Sequence, residues 1–237
     1  MNPIRQALFV SWLYGLTLGL GLLGAPFLLA PRDAELTLVR FWARLVAWGL
    51  NGFAGIRIEV RGIEHRPSGA ALIAAKHGSI LDIVAPFLFL PDPCLAAKQE
   101  LLALPVFGWH ASRMDLIPID RGGHAKALKA LVREARARIG RGRQLIIFPE
   151  GTRKRPGEAP DYKPGVAALY RDLAIDCTPL ATNVAAHCSP TGTPLKPGTI
   201  VFEFLPPIPP GLPREAFMRE LEHRIETASN TLFDAEI

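Results

Sequence analysis

The sequence predicts a layered α/β domain whose mixed sheet is flanked by helices, preceded by an N-terminal hydrophobic helical membrane anchor. Three observations carry this expectation. Beyond Ile56, short strand patterns alternate with amphipathic helical ones, as layered α/β folds require. From Gln6 to Pro31 there is no charged residue. The 237 residues are 49% hydrophobic with a mean hydropathy of +0.19, which excludes a disordered chain and is apolar for a wholly soluble one. The length suits one domain and an appendage. The expected division places the anchor at residues 1–54 and the domain at 55–237.

The apolar run Ala7–Ala30 has Trp12 and Tyr14 near its start and Arg5 as the one basic residue before it. It is long enough to span a bilayer and too long for a signal-peptide apolar region. Gly15, Gly19, Gly21, Gly24 and Pro26 interrupt it, so a straight span and a bent or re-entrant helix pair are both compatible. In Ala34–Leu50 the stripe Leu38, Val39, Trp42, Leu45, Val46 and Leu50 recurs at helical spacing. That helix fits a membrane boundary, where Trp42 and Trp48 would settle, or a face packed on the domain. Strands are expected at Ile56–Arg61, Ala71–Ala75, Leu95–Ala97, Leu116–Ile119, Leu145–Phe148, Cys177–Ala181 and Ile200–Leu205. Helices are expected at Ile80–Leu90, Ala125–Ile139, Val166–Leu173 and Arg214–Leu232. Pro206–Pro213 reads as a loop.

Several features point nowhere. Gly19–Gly24 matches GxGxxG but lies inside the apolar run, where no strand precedes it. Gly15 and Gly19 form a weak helix-packing pair. Cys94, Cys177 and Cys188 lack zinc-like spacing; an odd, sparse set fits a reducing compartment. The basic stretch Arg133–Arg143 has no aromatic for base stacking, which argues against nucleic acid. Charge is nonetheless concentrated: Arg121–Arg155 carries a net +9 against +5 for the whole chain. On the helix within it, Lys126, Lys129, Arg133 and Arg136 fit either a solvated face or a docking face for an acidic carrier, CoA phosphates or anionic headgroups.

Two motifs carry chemistry. Lys76-His77-Gly78-Ser79-Ile80-Leu81-Asp82 stands where a strand gives way to a helix. His77 there suits a general base and Asp82 a group that orients its ring, although the pair alone better fits a structural histidine. Phe148-Pro149-Glu150-Gly151-Thr152-Arg153 ends an apolar strand in a turn. Arg153 suits bidentate contact with phosphate and Glu150 a polyol hydroxyl, with a surface ion pair as the plain alternative.

Together, His-Gly-Ser-Ile-Leu-Asp and Phe-Pro-Glu-Gly-Thr-Arg, about seventy residues apart, make the chain resemble the glycerolipid acyltransferases, the family of 1-acyl-glycerol-3-phosphate acyltransferases. Ala97–Trp109, Ile117-Pro118-Ile119-Asp120-Arg121, Lys163-Pro164-Gly165 and Thr178-Pro179-Leu180 resemble its intermediate blocks, in order, between Arg57 and Leu205. Asp115 and Pro118 depart from the glycine and aromatic that the family's second motif carries. The resemblance implies acyl transfer from acyl-CoA or acyl carrier protein to the free hydroxyl of a lysophosphatidate-like acceptor, giving phosphatidic acid. His77 and Asp82 would be catalytic. Lys98, Arg121, Glu150, Gly151, Thr152 and Arg153 would form the acceptor site. Backbone N–H groups after His77 would stabilise the oxyanion. No metal and no cofactor are expected. Another lysophospholipid, glycerol 3-phosphate or a lyso-aminolipid is the nearest alternative acceptor, and a non-catalytic lipid-binding membrane protein a distant one. The implied place is an anionic plasma or inner membrane. The catalytic domain is expected on its cytoplasmic face, because Arg32, Arg40 and Arg44 follow the apolar run.

Overall fold

The computed structural model describes residues 2–119 and 124–235. Two helices lead, α1 (Pro3–Leu23) and α2 (Arg32–Gly49), joined by a 3-10 turn at Ala25–Leu29. There follow β1 (Ile56–Arg61), β2 (Ala71–Ala75), α3 (Leu81–Val84), α4 (Pro86–Phe89), β3 (Pro93–Lys98), α5 (Gln99–Leu102) and α6 (Phe107–Arg113). The remainder is β4 (Ile117–Ile119), α7 (His124–Ile139), β5 (Gln144–Ile147), α8 (Gly165–Leu173), β6 (Cys177–Thr182), α9 (Val184–His187), β7 (Gly198–Phe204) and α10 (Arg214–Asp234).

The strands form one mixed sheet in the order β1-β7-β6-β2-β5-β3-β4. Its single antiparallel joint lies between β6 and β7. Five strands, β2 to β6, therefore end at one edge, while β1 and β7 run the other way. Strand alternation divides the core into two layers. Ile73, Ala75, Leu95 and Ile146 face a layer that includes Phe9, Leu36, Val46, Leu50 and Phe87. Leu72, Ala74, Cys94 and Leu145 face Leu131, Val166, Leu169, Phe217, Leu221 and Ile225 from α7, α8 and α10. β2 is buried along its whole length, as a parallel strand covered on both faces must be.

Every expected strand is present, with ends moved by two residues or fewer. The expected helix Ile80–Leu90 divides at Pro86, which has no N–H to continue the ladder and opens α4 instead. The helix α6 was not expected, since Val106 enters it from φ +65°, a backbone state that side-chain periodicity does not reveal.

The apolar run forms α1 and the 3-10 turn, broken at Gly24 and Pro26, and packs against α2, which begins beyond it. Trp12 Nε1 donates to Leu45 O at 3.1 Å and Trp42 Nε1 to Thr17 Oγ1 at 3.1 Å. The Trp12 and Trp48 rings are 5.4 Å apart. Both ends of α1 are tied down: Arg5 Nε donates to Phe53 O, Leu195 N to Gln6 Oε1, and His110 Nε2 to Gly21 O. α2 packs one face on the domain, with Leu36, Ala43 and Val46 buried and Trp42 half-buried, while Phe41 and Trp48 remain exposed.

The basic stretch is partly structural. Arg143 is buried, with its guanidinium donating to the carbonyls of Pro93, Met114 and Asp115 and to Asp92 Oδ1. Arg138 pairs with Asp115 and Glu134. Lys126, Lys129, Arg133 and Arg136 remain exposed on α7. Replacing Arg143 with leucine leaves three carbonyls and a carboxylate short of donors. Arg143→Leu is expected to lower unfolding stability by about 3–5 kcal/mol, read from denaturant midpoints.

Candidate active site

The common edge of β2 to β6 is where an α/β sheet presents reactive groups. β2 delivers Lys76 and His77 there, and β5 delivers Phe148 through Arg153. His77 Nδ1 lies 3.0 Å from Asp82 Oδ2. The same oxygen accepts the N–H of Gly78 at 2.7 Å and of Ser79 at 2.9 Å. Three donors on one carboxylate oxygen fix the loop and the ring together. An Nδ1–H donated to Asp82 leaves Nε2 as the basic nitrogen, and no described residue hydrogen-bonds it. The ring is stacked on Phe148, centroids 4.1 Å apart. The His77–Asp82 arrangement expected from the sequence is thus formed, although both residues are nearly buried.

The oxyanion expectation needs correction. The N–H groups of Gly78 and Ser79 are spent on Asp82, and that of His77 donates to Glu150 Oε2 at 3.1 Å. None of the three is free for an oxyanion.

Glu150 is also not placed against an acceptor hydroxyl. It is buried, with Oε1 receiving Lys76 Nζ at 2.9 Å and Oε2 the His77 N–H. Burial pushes its carboxyl above the usual range, with Lys76 opposing. It supports the site from beneath. Gly151 turns the chain at φ +63°, a state that suits glycine. The turn brings Lys154 N to His77 O at 2.9 Å. Thr152 is exposed. Among the described residues, Arg153 is held by one bond, NH1 to Pro190 O at 2.7 Å, and its other guanidinium N–H groups have no hydrogen-bond partner. Lys98 is exposed at the end of β3, two strands from β2 on the same edge. It makes no hydrogen bond to the other described candidates. Arg121 lies outside the described residues.

Sequence reasoning missed several supports. Lys76, Glu226 and Tyr162 form a partly buried polar cluster behind His77. Ser79 Oγ donates to Cys188 Sγ and accepts Leu81 N–H, which makes it a loop brace. The one available signal was alternation: Lys76 follows Leu72 and Ala74, so it must enter the α10 side of the sheet and find an acid there. Beside the site, α1, α2 and α6 enclose an apolar cavity of about 110 Å³ lined by Leu20, Val39, Trp42, Phe87, Leu95 and Met114. Among the described residues no cluster of three or more metal-ligating side chains occurs.

A family model described as Acyltransferase matches residues 57–183, from β1 through both motifs to the end of β6. The chain belongs to the acyltransferase family. A Pseudomonas aeruginosa protein named 1-acyl-sn-glycerol-3-phosphate acyltransferase is 33% identical over 204 residues, covering 84% of this chain and 79% of that protein. A human 1-acyl-sn-glycerol-3-phosphate acyltransferase alpha is 30% identical over 139 residues, covering 58% of this acyltransferase and 49% of the human chain. The crystal structure of the Thermotoga maritima 1-acyl-sn-glycerophosphate acyltransferase superposes with a TM-score of 0.81 over 98% of both chains at 21% identity. The fold is therefore shared along the whole chain, including the leading helix pair and α10.

The loop has no room for a side chain at Gly78. A Cβ there would lie 2.8 Å from Ala185 Cβ and 2.9 Å from Val184 Cγ1. Gly78→Ala is expected to shift the His77 loop and slow acyl transfer by about tenfold or more, while the melting temperature changes by only a few degrees.

Proposed function

We propose that this acyltransferase moves a fatty acyl group from a thioester, acyl-CoA or acyl carrier protein, to the free hydroxyl of 1-acyl-glycerol-3-phosphate, giving phosphatidic acid. The observation that carries the reading is the free Nε2 of a histidine whose Nδ1 is fixed by Asp82. His77 Nε2 takes the hydroxyl proton as the oxygen attacks the thioester carbonyl. The C–S bond then breaks and the thiolate takes the proton from His77. Asp82 stabilises the imidazolium between these steps. The balance closes with no cofactor and no metal. Lys98, Arg121 and Arg153 would hold the acceptor phosphate, Arg153 through the N–H groups that no described residue takes. Gly151 and Thr152 would shape that turn. The names of the relatives support the acceptor.

The leading helices would seat the enzyme on an anionic membrane. α1 is long and apolar enough to cross one. Yet both its ends are bonded to the domain, so its roughly 30 Å length lies along the protein, with Leu18, Leu22, Leu23, Phe27 and Leu29 exposed. This favours seating in the interface, with the apolar cavity receiving an acyl chain and the domain on the cytoplasmic side.

With labelled acyl donor and 1-acyl-glycerol-3-phosphate, His77→Ala should form essentially no phosphatidic acid. Asp82→Asn should lose about 10²–10⁴ in turnover with its melting temperature kept. Product at the wild-type rate from His77→Ala would end the reading. Replacing Leu22, Leu23 and Leu29 together with serine should release the protein from anionic vesicles in flotation, at unchanged turnover on detergent-dispersed substrate.

A further inference from the structure

β2 ends on two residues of opposite address: His77 faces the layer of the leading helices, and Lys76 faces α10. Lys76 Nζ is held by Glu150 Oε1 at 2.9 Å and by both oxygens of Glu226 at 2.8 Å. Tyr162 OH donates to Glu226 Oε1 at 3.0 Å. The opposite oxygen of Glu150 takes the His77 N–H. A continuous chain of bonds thus runs from the C-terminal helix through the sheet to the main chain of the catalytic histidine. We propose that Lys76 and Glu226 are positioning residues for the acyl-transfer step, fixing His77 from the far face of the sheet.

Energetics favour this role over a simple stabilising one. The side chains of Lys76, Glu150 and Glu226 are 9%, 0% and 18% exposed. Removing three such charges from water is costly, and well-packed apolar replacements are often as stable. An apolar cluster cannot, however, aim a carboxylate at the His77 N–H. Lys76 also opposes the burial that raises the Glu150 carboxyl above its usual range. Without Lys76, Glu150 would become neutral more readily, and a neutral carboxyl accepts the N–H more weakly.

Tyr162 is pushed up by burial and by the charge of Glu226, so it stays a donor. Glu226 itself is carried by a rigid element. Phe217, Leu221, Ile225 and Leu232 of α10 are buried, and Thr182 N donates to Ser229 Oγ. Glu226 lies beyond the matched segment 57–183, so a helix outside the motif-bearing core takes part in the site.

The inference rests on the acyl transfer proposed above, and its test has one arm that does not. In full-length protein, Lys76→Met should lower kcat about 30-fold, in line with a small misplacement of a catalytic group. KM for donor and acceptor should stay within about twofold. Glu226→Gln should show the same split with a smaller loss. The double variant should be no slower than Lys76→Met, because residues acting as one unit are not additive. The arm independent of substrate is hydrogen exchange, where the His77 amide should exchange faster in both variants at unchanged protection of α8.

Raised KM at unchanged kcat, logarithmic losses that add, or unaltered His77 exchange would each overturn the proposal. If Lys76→Met does not fold, Glu226→Gln carries both readouts. If the wild type acylates no lyso-lipid, the proposed function falls alone and the exchange result still decides this inference.

Discussion

Alternation at the end of one buried strand organises the active end of the molecule. Because β2 is covered on both faces, consecutive residues at its end cannot both face one layer. His77 turns toward the leading helices and finds Asp82 and Phe148; Lys76 turns toward α10 and finds Glu226. Glu150, arriving from the neighbouring strand β5, bonds to both residues. The register Ala74↔Ile147 between β2 and β5 sets which residues meet. A one-residue slip would exchange the two faces and leave a lysine where His77 stands.

The second constraint is electrostatic. The chain's positive charge is divided between structure and surface more evenly than its distribution along the sequence suggests. Arg138 and Arg143 are withdrawn from solvent to satisfy Asp115, Asp92 and the carbonyls around β3 and β4. Arg32 of α2 also pairs with Asp92, and Arg40 donates to Leu90 O. These arginines fasten the leading helices and the edge of the sheet to one another. Among the described residues, Arg153 is anchored only through Pro190 O, unlike the arginines that are spent on structure.

Much of this was legible in the sequence, for identifiable reasons. The strands were, because period-two runs such as Ile56–Arg61 and continuous apolar runs such as Ala71–Ala75 report burial directly. His77 with Asp82 was legible through the resemblance that it carries together with Phe148–Arg153, since the spacing alone also fits a structural histidine. What escaped depended on partners far apart in the chain. Glu150 reads from the sequence as a hydroxyl-binding residue, whereas Lys76 and the His77 N–H occupy its two oxygens. The N–H groups of Gly78 and Ser79 looked available until Asp82 claimed both. Glu226, 150 positions from Lys76, sits on a helix whose apolar stripe shows which face packs and not which acid meets the lysine.

The leading helix pair has a consequence for the order in which the chain is made. Its partners are late: Phe9 and Leu36 share a layer with Phe202 and Phe204, and Gln6 Oε1 accepts Leu195 N–H. β1 likewise waits for β7. During synthesis the pair meets α4 and α6 first, but emerges well over a hundred residues before β7, which completes its layer. For that interval part of its buried face is as bare as its exposed one, a condition that invites aggregation. A lipid surface close to the ribosome would shelter both faces until β7 arrives. The same apolar side chains would then serve first to hold the growing chain and afterwards to seat the folded protein.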